Sequence, residues 1–183
     1  MAEKTSIGGM NILVADDNDA FRIVMRTVMN ALGISNVKFV NDAPKALEAA
    51  NTGKFDAMII ERDLNNKSGL KLVKFLRASA KSNDPLLPVI MMAANWEYPQ
   101  IVAARDAGVN EYLAKPFSQG QMQKRLEAVH TKPRPFIKDD DFFGPDRRRK
   151  TGPELKAKER RLIEPEFLKR EDMKKSIDDF DLF

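Results

Sequence analysis

Asn11-Ile12-Leu13-Val14-Ala15-Asp16-Asp17 sets four apolar residues between a polar start and two adjacent carboxylates. A short apolar run of this kind reads as a strand buried on both faces. Phe21, Val24, Met25, Val28 and Leu32 then fall on one face of a helix, and Gly33 stops it. The same unit recurs along the chain. Val37 to Val40 is the next strand, after which Asp42 caps a short helix with Pro44 in its first turn, ending near Gly53. Ala57 to Ile60 is a third apolar run and ends on Glu61-Arg62-Asp63. From Gly69 to Ala80, Leu70, Leu72, Val73 and Leu76 recur at helical spacing. Val89 to Met92 is a fourth strand, followed by a helix from Pro99 to Ala107 that Gly108 closes. Glu111 to Ala114 is a fifth strand ending on Lys115-Pro116, and Ser118 with Gln121 forms a capping box for a last helix.

Five such units predict an α/β fold, a doubly wound, five-stranded parallel sheet with helices on both faces. Ligands of these sheets bind outside the carboxyl ends of the strands. Those ends carry Asp16, Asp17, Glu61, Asp63 and Lys115. They predict an acidic pocket faced by one cation.

Composition bounds the chemistry. The 183 residues contain no cysteine and a single histidine, His130. Disulfides, thiolate catalysis and His-cluster metal sites are excluded, and the tail shows no helix-turn-helix or catalytic constellation, so a non-enzymatic protein whose output is by contact is expected. No apolar run approaches the roughly 20 residues that span a bilayer, and the first nine residues lack the apolar core of a secretory signal. A soluble, cytoplasmic protein without membrane insertion is expected. Charge divides the chain: 28 of the 52 residues from 132 onward are charged, against 30 of the 131 before them. The expected organisation is an N-terminal extension over 1–9, a compact domain over 10–131 and a charged, largely disordered tail over 132–183.

Residues 10–131 resemble the receiver domain of bacterial two-component response regulators, the CheY-like, flavodoxin-like fold with strand order 2-1-3-4-5. The resemblance rests on Ile12 to Asp17, on Phe55 to Glu61 with Gly69 eight residues on, on Leu87 to Ala94, and on Ala107 to Phe117. It implies that the acids after the first strand, Asp16 and Asp17, hold Mg²⁺, that Lys115 neutralises a phosphoryl group, and that Tyr112 is the aromatic switch of the fifth strand. It also implies an Asp acceptor ending the third strand and a Thr or Ser after the fourth. Here those positions hold Glu61 and Ala93. Asp63, two residues past the acceptor position, is the alternative acceptor of a conventional phospho-accepting regulator. Glu61 brings one negative charge where a phosphate brings about 1.5 to 2, and Ala93 has no hydroxyl to bond a phosphoryl oxygen. A pseudo-receiver follows. Asp16, Asp17 and Glu61 still offer the oxygen donors that Mg²⁺ takes.

The tail carries a second signal. From Arg147 to Arg161 there are eight basic and two acidic residues. This extension is similar to the arginine-rich tails of CheY-like proteins that bind cyclic di-GMP and act at the flagellar motor. Guanidinium groups fork onto phosphate and guanine edges and stack on purines, so Arg147, Arg148, Arg149, Arg160 and Arg161 are candidate nucleotide ligands. A solvated run or a protein-docking run fits the same residues. Residues 165–175 are expected to form a short helix, and Ile177 to Phe183 mix acids with aromatic residues, which fits a docking peptide and equally a segment folded back onto the receiver. DNA binding is not expected, since acids are mixed through the tail. The expected function is that of a non-enzymatic signalling adaptor, contacting a histidine kinase or chemotaxis and flagellar motor components. Its binding face is expected near Tyr112 and Trp96.

Overall fold

The computed structural model describes residues 7–78, 82–139, 142–147 and 166–168. The elements run β1 (Ile12–Ala15), α1 (Asp19–Ala31), β2 (Val37–Val40), α2 (Ala43–Thr52), β3 (Ala57–Glu61), β4 (Asp63–Leu64), β5 (Lys67–Ser68) and α3 (Gly69–Ala78). Then follow β6 (Val89–Ala93), α4 (Tyr98–Asp106), β7 (Glu111–Ala114), α5 (Gln119–Thr131), β8 (Phe136–Asp139), β9 (Phe142–Pro145) and β10 (Glu166–Leu168). The main sheet is parallel in the order β2-β1-β3-β6-β7. This is the expected flavodoxin-like order 2-1-3-4-5, with the antiparallel ribbon β4-β5 intervening in the count.

Alternation along the strands divides the core. Ile12 and Val14 point to one face with Ile59, Ile90 and Met92, against Met25, Met29, Met122 and Leu126. Leu13 and Ala15 point to the other with Met58, Ile60 and Met91, against Ala46, Ala49, Leu72, Val73 and Leu76. A parallel sheet must be covered on both faces, and the one-residue register of the strands decides which helix layer each side chain meets. Asp42 and Ser118 cap as read, accepting from the backbone amides of Lys45 and Gln121, and Asn18 caps α1 by accepting from Phe21. Gly33 leaves α1 at φ +75°, a backbone angle that other L residues rarely adopt.

Three expectations for the segments outside the domain are corrected. Ile7, placed in the N-terminal extension, is fully buried beside Met10 in the core. The boundary after Thr131 marks a change in composition and not the end of folded structure. Phe136–Asp139 and Phe142–Pro145 pair antiparallel, and Phe136, Ile137 and Phe142 are buried. Charge density hid these rings, which need only a few apolar partners to be withdrawn from water. Within the expected helix 165–175, Glu166–Leu168 is instead a strand paired with β8.

The hairpin seats on Arg77 of α3. That guanidinium is 6% exposed; it lies 5.0 Å from the ring centre of Phe136 and donates to the carbonyls of Gly108, Pro85 and Leu87 and to Asn110 Oδ1. Arg134 reaches from the hairpin's approach to the Asn110 carbonyl and to Glu111 Oε1, the latter at 3.1 Å. Asp146 N donates back to the Pro135 carbonyl at 2.8 Å, closing the hairpin's open end.

Candidate functional site

Parallel pairing brings the carboxyl ends of β1, β3, β6 and β7 to one side of the sheet. Asp16 follows β1 directly and is fully buried. Its Oδ1 accepts the backbone amide of Asn18 at 2.9 Å, and its Oδ2 accepts Lys115 Nζ at 2.7 Å. Lys115 leaves β7 with its amide on the Ala93 carbonyl at 2.8 Å, which aims the side chain back across the strand ends. Its ammonium also pairs with Glu61 Oε2 and sits 3.6 Å from the centre of the Phe21 ring. Phe117 braces that ring edge-on at 5.9 Å. One cation is thus held between two carboxylates and an aromatic face, where low exposure strengthens the attraction and also costs the charges their hydration. The Lys115–Pro116 bond is cis.

Burial raises the Glu61 carboxyl above its usual range, while the hydrogen bond and charge of Lys115 pull it down. The longer Glu side chain lets the carboxylate cross from β3 to Lys115, with Oε1 accepting the Arg62 amide at 3.2 Å. Ala93 is buried and presents only a methyl group.

The remaining acids of the expected pocket point elsewhere. Asp17 is exposed and its Oδ2 accepts the amide of Asn65 at 2.9 Å. Asp63 is exposed and pairs with Arg62 Nη2 at 2.8 Å. Neither is bonded to Lys115, so the five-residue pocket read from the strand ends contracts to Asp16, Glu61 and Lys115.

Mg²⁺ takes oxygen ligands, and the donor chemistry of Asp16, Asp17 and Glu61 is of that kind. These three are the residues that could hold it, with Lys115 on one oxygen of Asp16 and one of Glu61, and Asp17 bonded to the Asn65 amide. Among the described residues no group of three or more His, Asp or Glu side chains is placed to hold a metal.

Beside the pocket, Trp96 donates its indole N–H to the Leu113 carbonyl at 3.2 Å and lies 5.4 Å from the Tyr112 ring. Arg62 reaches the Asn95 carbonyl and stands over Trp96 at 5.9 Å. Phe21 and Arg62 were not among the site residues read from the sequence. Phe21 showed only its helical apolar spacing, and its place over Lys115 follows from the β1–α1 and β7–α5 turns facing each other.

Of the five tail arginines, Arg147 is described. Its Nη1 lies 3.2 Å from Asp106 Oδ1 and its guanidinium 4.2 Å from the Phe142 ring centre. Arg148, Arg149, Arg160 and Arg161 lie outside the described residues, as does the 177–183 segment.

The family model of the response regulator receiver domain matches residues 12–127. The chain is 30% identical over 120 residues to the chemotaxis protein CheY of Pseudomonas aeruginosa, covering 66% of this chain and 95% of that one. It is 31% identical over 120 residues to chemotaxis protein CheY-3 of Vibrio cholerae, covering 66% and 91%. Among solved structures, the receiver domain of the sensor histidine kinase PA1611 of Pseudomonas aeruginosa, with a magnesium ion coordinated in its active-site cleft, superposes with a TM-score of 0.60. The identity there is 27%, over 68% of this chain and 99% of that domain. The order of the sheet, the lysine following its last parallel strand and the sequence match agree, and the chain belongs to the response regulator receiver domain family.

Proposed function

We propose that this response regulator works as a pseudo-receiver: a non-enzymatic, CheY-like signalling adaptor that acts by protein contact without aspartyl phosphorylation. The observation that carries this reading is the ammonium of Lys115 held between Asp16 and Glu61. In a phospho-accepting site the lysine answers a charge that comes and goes. Here Glu61 supplies a permanent carboxylate to it, and Ala93 leaves no hydroxyl to sense a phosphoryl oxygen. The strand ends are therefore tied in one state by side chains alone. Mg²⁺, as held in the cleft of the PA1611 receiver, would compete with Lys115 for Asp16 and Glu61. Partners are signalling proteins of the kinase or chemotaxis and motor class, meeting the face that carries Trp96 and Tyr112. Action inside the cytoplasm accords with this reading, and among the described residues no helix is long and apolar enough to cross a membrane.

Incubation of the full chain with acetyl phosphate and Mg²⁺, followed by intact-mass measurement, tests it. No gain of a phosphoryl group is expected. A gain abolished by Asp63→Ala would restore the conventional regulator, and one abolished by Glu61→Ala would mean glutamyl chemistry.

A cyclic di-GMP effector, with motility as its output, is the second reading of the tail. Arg147 gives one N–H to Asp106 and lies over Phe142, with its other donors left for a ligand beside Arg148, Arg149, Arg160 and Arg161. Calorimetric titration of the full chain with cyclic di-GMP separates the two, and the adaptor reading expects no heat of binding at micromolar nucleotide.

A further inference from the structure

Helices α2 and α3 leave between them a groove of about 500 Å³. Pro44, Leu47, Leu72 and Phe75 give it an apolar lining, and Lys67 and Lys71 stand along it. Among the described residues its lining holds no carboxylate, and Asp42, at the start of α2, is the acid that feels the charge of Lys67. Phe75 is 40% exposed, unusual for a phenylalanine on a helix whose other large apolar residues are withdrawn from water. The groove therefore suits an occupant that is both apolar and acidic.

The chain carries such a segment. Ile177-Asp178-Asp179-Phe180-Asp181-Leu182-Phe183 joins four large apolar residues to three carboxylates and contains no base. Its reach is set by where the described chain stops. Leu168 pairs with Phe136, and Phe136 lies under Arg77 near the end of α3. From Arg77 back to Lys71 is six residues of helix, about 9 Å. The nine residues from Leu168 to Ile177 span up to about 30 Å. β10, through Phe136, and the groove are thus both tied to α3, at a separation that nine residues can span.

We propose that residues 177–183 dock in the groove between α2 and α3, their apolar side chains against Leu47, Leu72 and Phe75 and their carboxylates on Lys67 and Lys71. The contact is intramolecular, and it covers a face of the receiver remote in sequence from Tyr112. It does not depend on how the Glu61 pocket behaves.

The absence of cysteine from the chain makes paired cysteines a clean reporter of proximity. In the full chain, Ser68→Cys with Ser176→Cys is expected to close an intramolecular disulfide under diamide at least about tenfold faster than Gln119→Cys with Ser176→Cys, because docking raises the local concentration of one end at the other. Lys67→Glu with Lys71→Glu, added to the first pair, is expected to remove that advantage; both lysines are exposed, so the fold should tolerate the change. Equal rates for the two pairs, or an advantage that survives charge reversal, would overturn the proposal. Disulfides between chains in place of those within one would also overturn it, and would assign the groove to a second copy.

Discussion

Gly144 and Gly108 meet backbone to backbone: a Cβ built on Gly144 would stand 2.9 Å from Gly108 Cα and 2.7 Å from the Phe142 ring. Gly108 itself turns at φ +88° against the Arg77 side chain. Gly144 has no side chain to hold the two backbones apart, and Gly108 has none to displace Arg77. Gly144→Ala is expected to cost about 1–3 kcal/mol, the range of an overpacked contact. Amide exchange at Ile137 and Phe143 should quicken before that of the main sheet. Gly120→Ala in α5, where a Cβ meets nothing within 4 Å, is the control and should leave stability equal or slightly raised.

Arg77 is expected to resist conservative replacement. Its guanidinium serves four acceptors and the Phe136 face at once, and a lysine cannot reproduce that fork. Arg77→Lys and Arg77→Met should each destabilise by about 2–4 kcal/mol in urea unfolding, since Asn110 and several carbonyls lose a buried donor. A loss below about 0.5 kcal/mol, the level of an ordinary surface change, would contradict this account.

The Glu61 carboxyl predicts a pH signature. Burial raises its pKa in the folded state against the pull of Lys115. Such a carboxyl favours folding in its protonated form, so its contribution is present below the unfolded value near 4.5 and is lost as pH rises through the folded one. Glu61→Gln should therefore be at least as stable as the parent at pH 7, and the parent should gain on it as pH falls toward 4.5. Urea unfolding of both across that interval checks the sign. A variant clearly weaker at pH 7 whose deficit shrinks on acidification would refute it.

Magnesium is expected to do little for the parent chain. With Asp16 and Glu61 engaged by Lys115, several millimolar Mg²⁺ should shift the melting temperature by less than about 2 °C relative to a chelator, the limit for a ligand near or below half-saturation. A larger, saturable rise would show that the ion displaces the lysine.

The parallel sheet was legible because its strands are short apolar runs ending on charge, and because Asp42, Ser118 and Gly33 mark helix ends by local chemistry. The cluster of Asp16, Glu61 and Lys115 was legible for the same reason, since strand ends of a parallel sheet share one side. That Asp17 and Asp63 turn away depends on side-chain partners, Asn65 and Arg62, which alignment of strand ends does not specify. The hairpin escaped because Phe136, Ile137 and Phe142 sit among charges, and their burial depends on Arg77 and Gly108, dozens of residues away. Ile7 escaped likewise, as a lone apolar residue before the first strand carries no period.

The contact of Arg147 with Asp106 joins the end of the hairpin to the end of α4. The arginine run does not leave the receiver at an arbitrary point: its first member is fastened at the carboxyl end of α4 and laid over Phe142. Arg147 gives one N–H to Asp106 and keeps the others, so an anion that meets the run at its first arginine does so beside a carboxylate of α4 and against its charge.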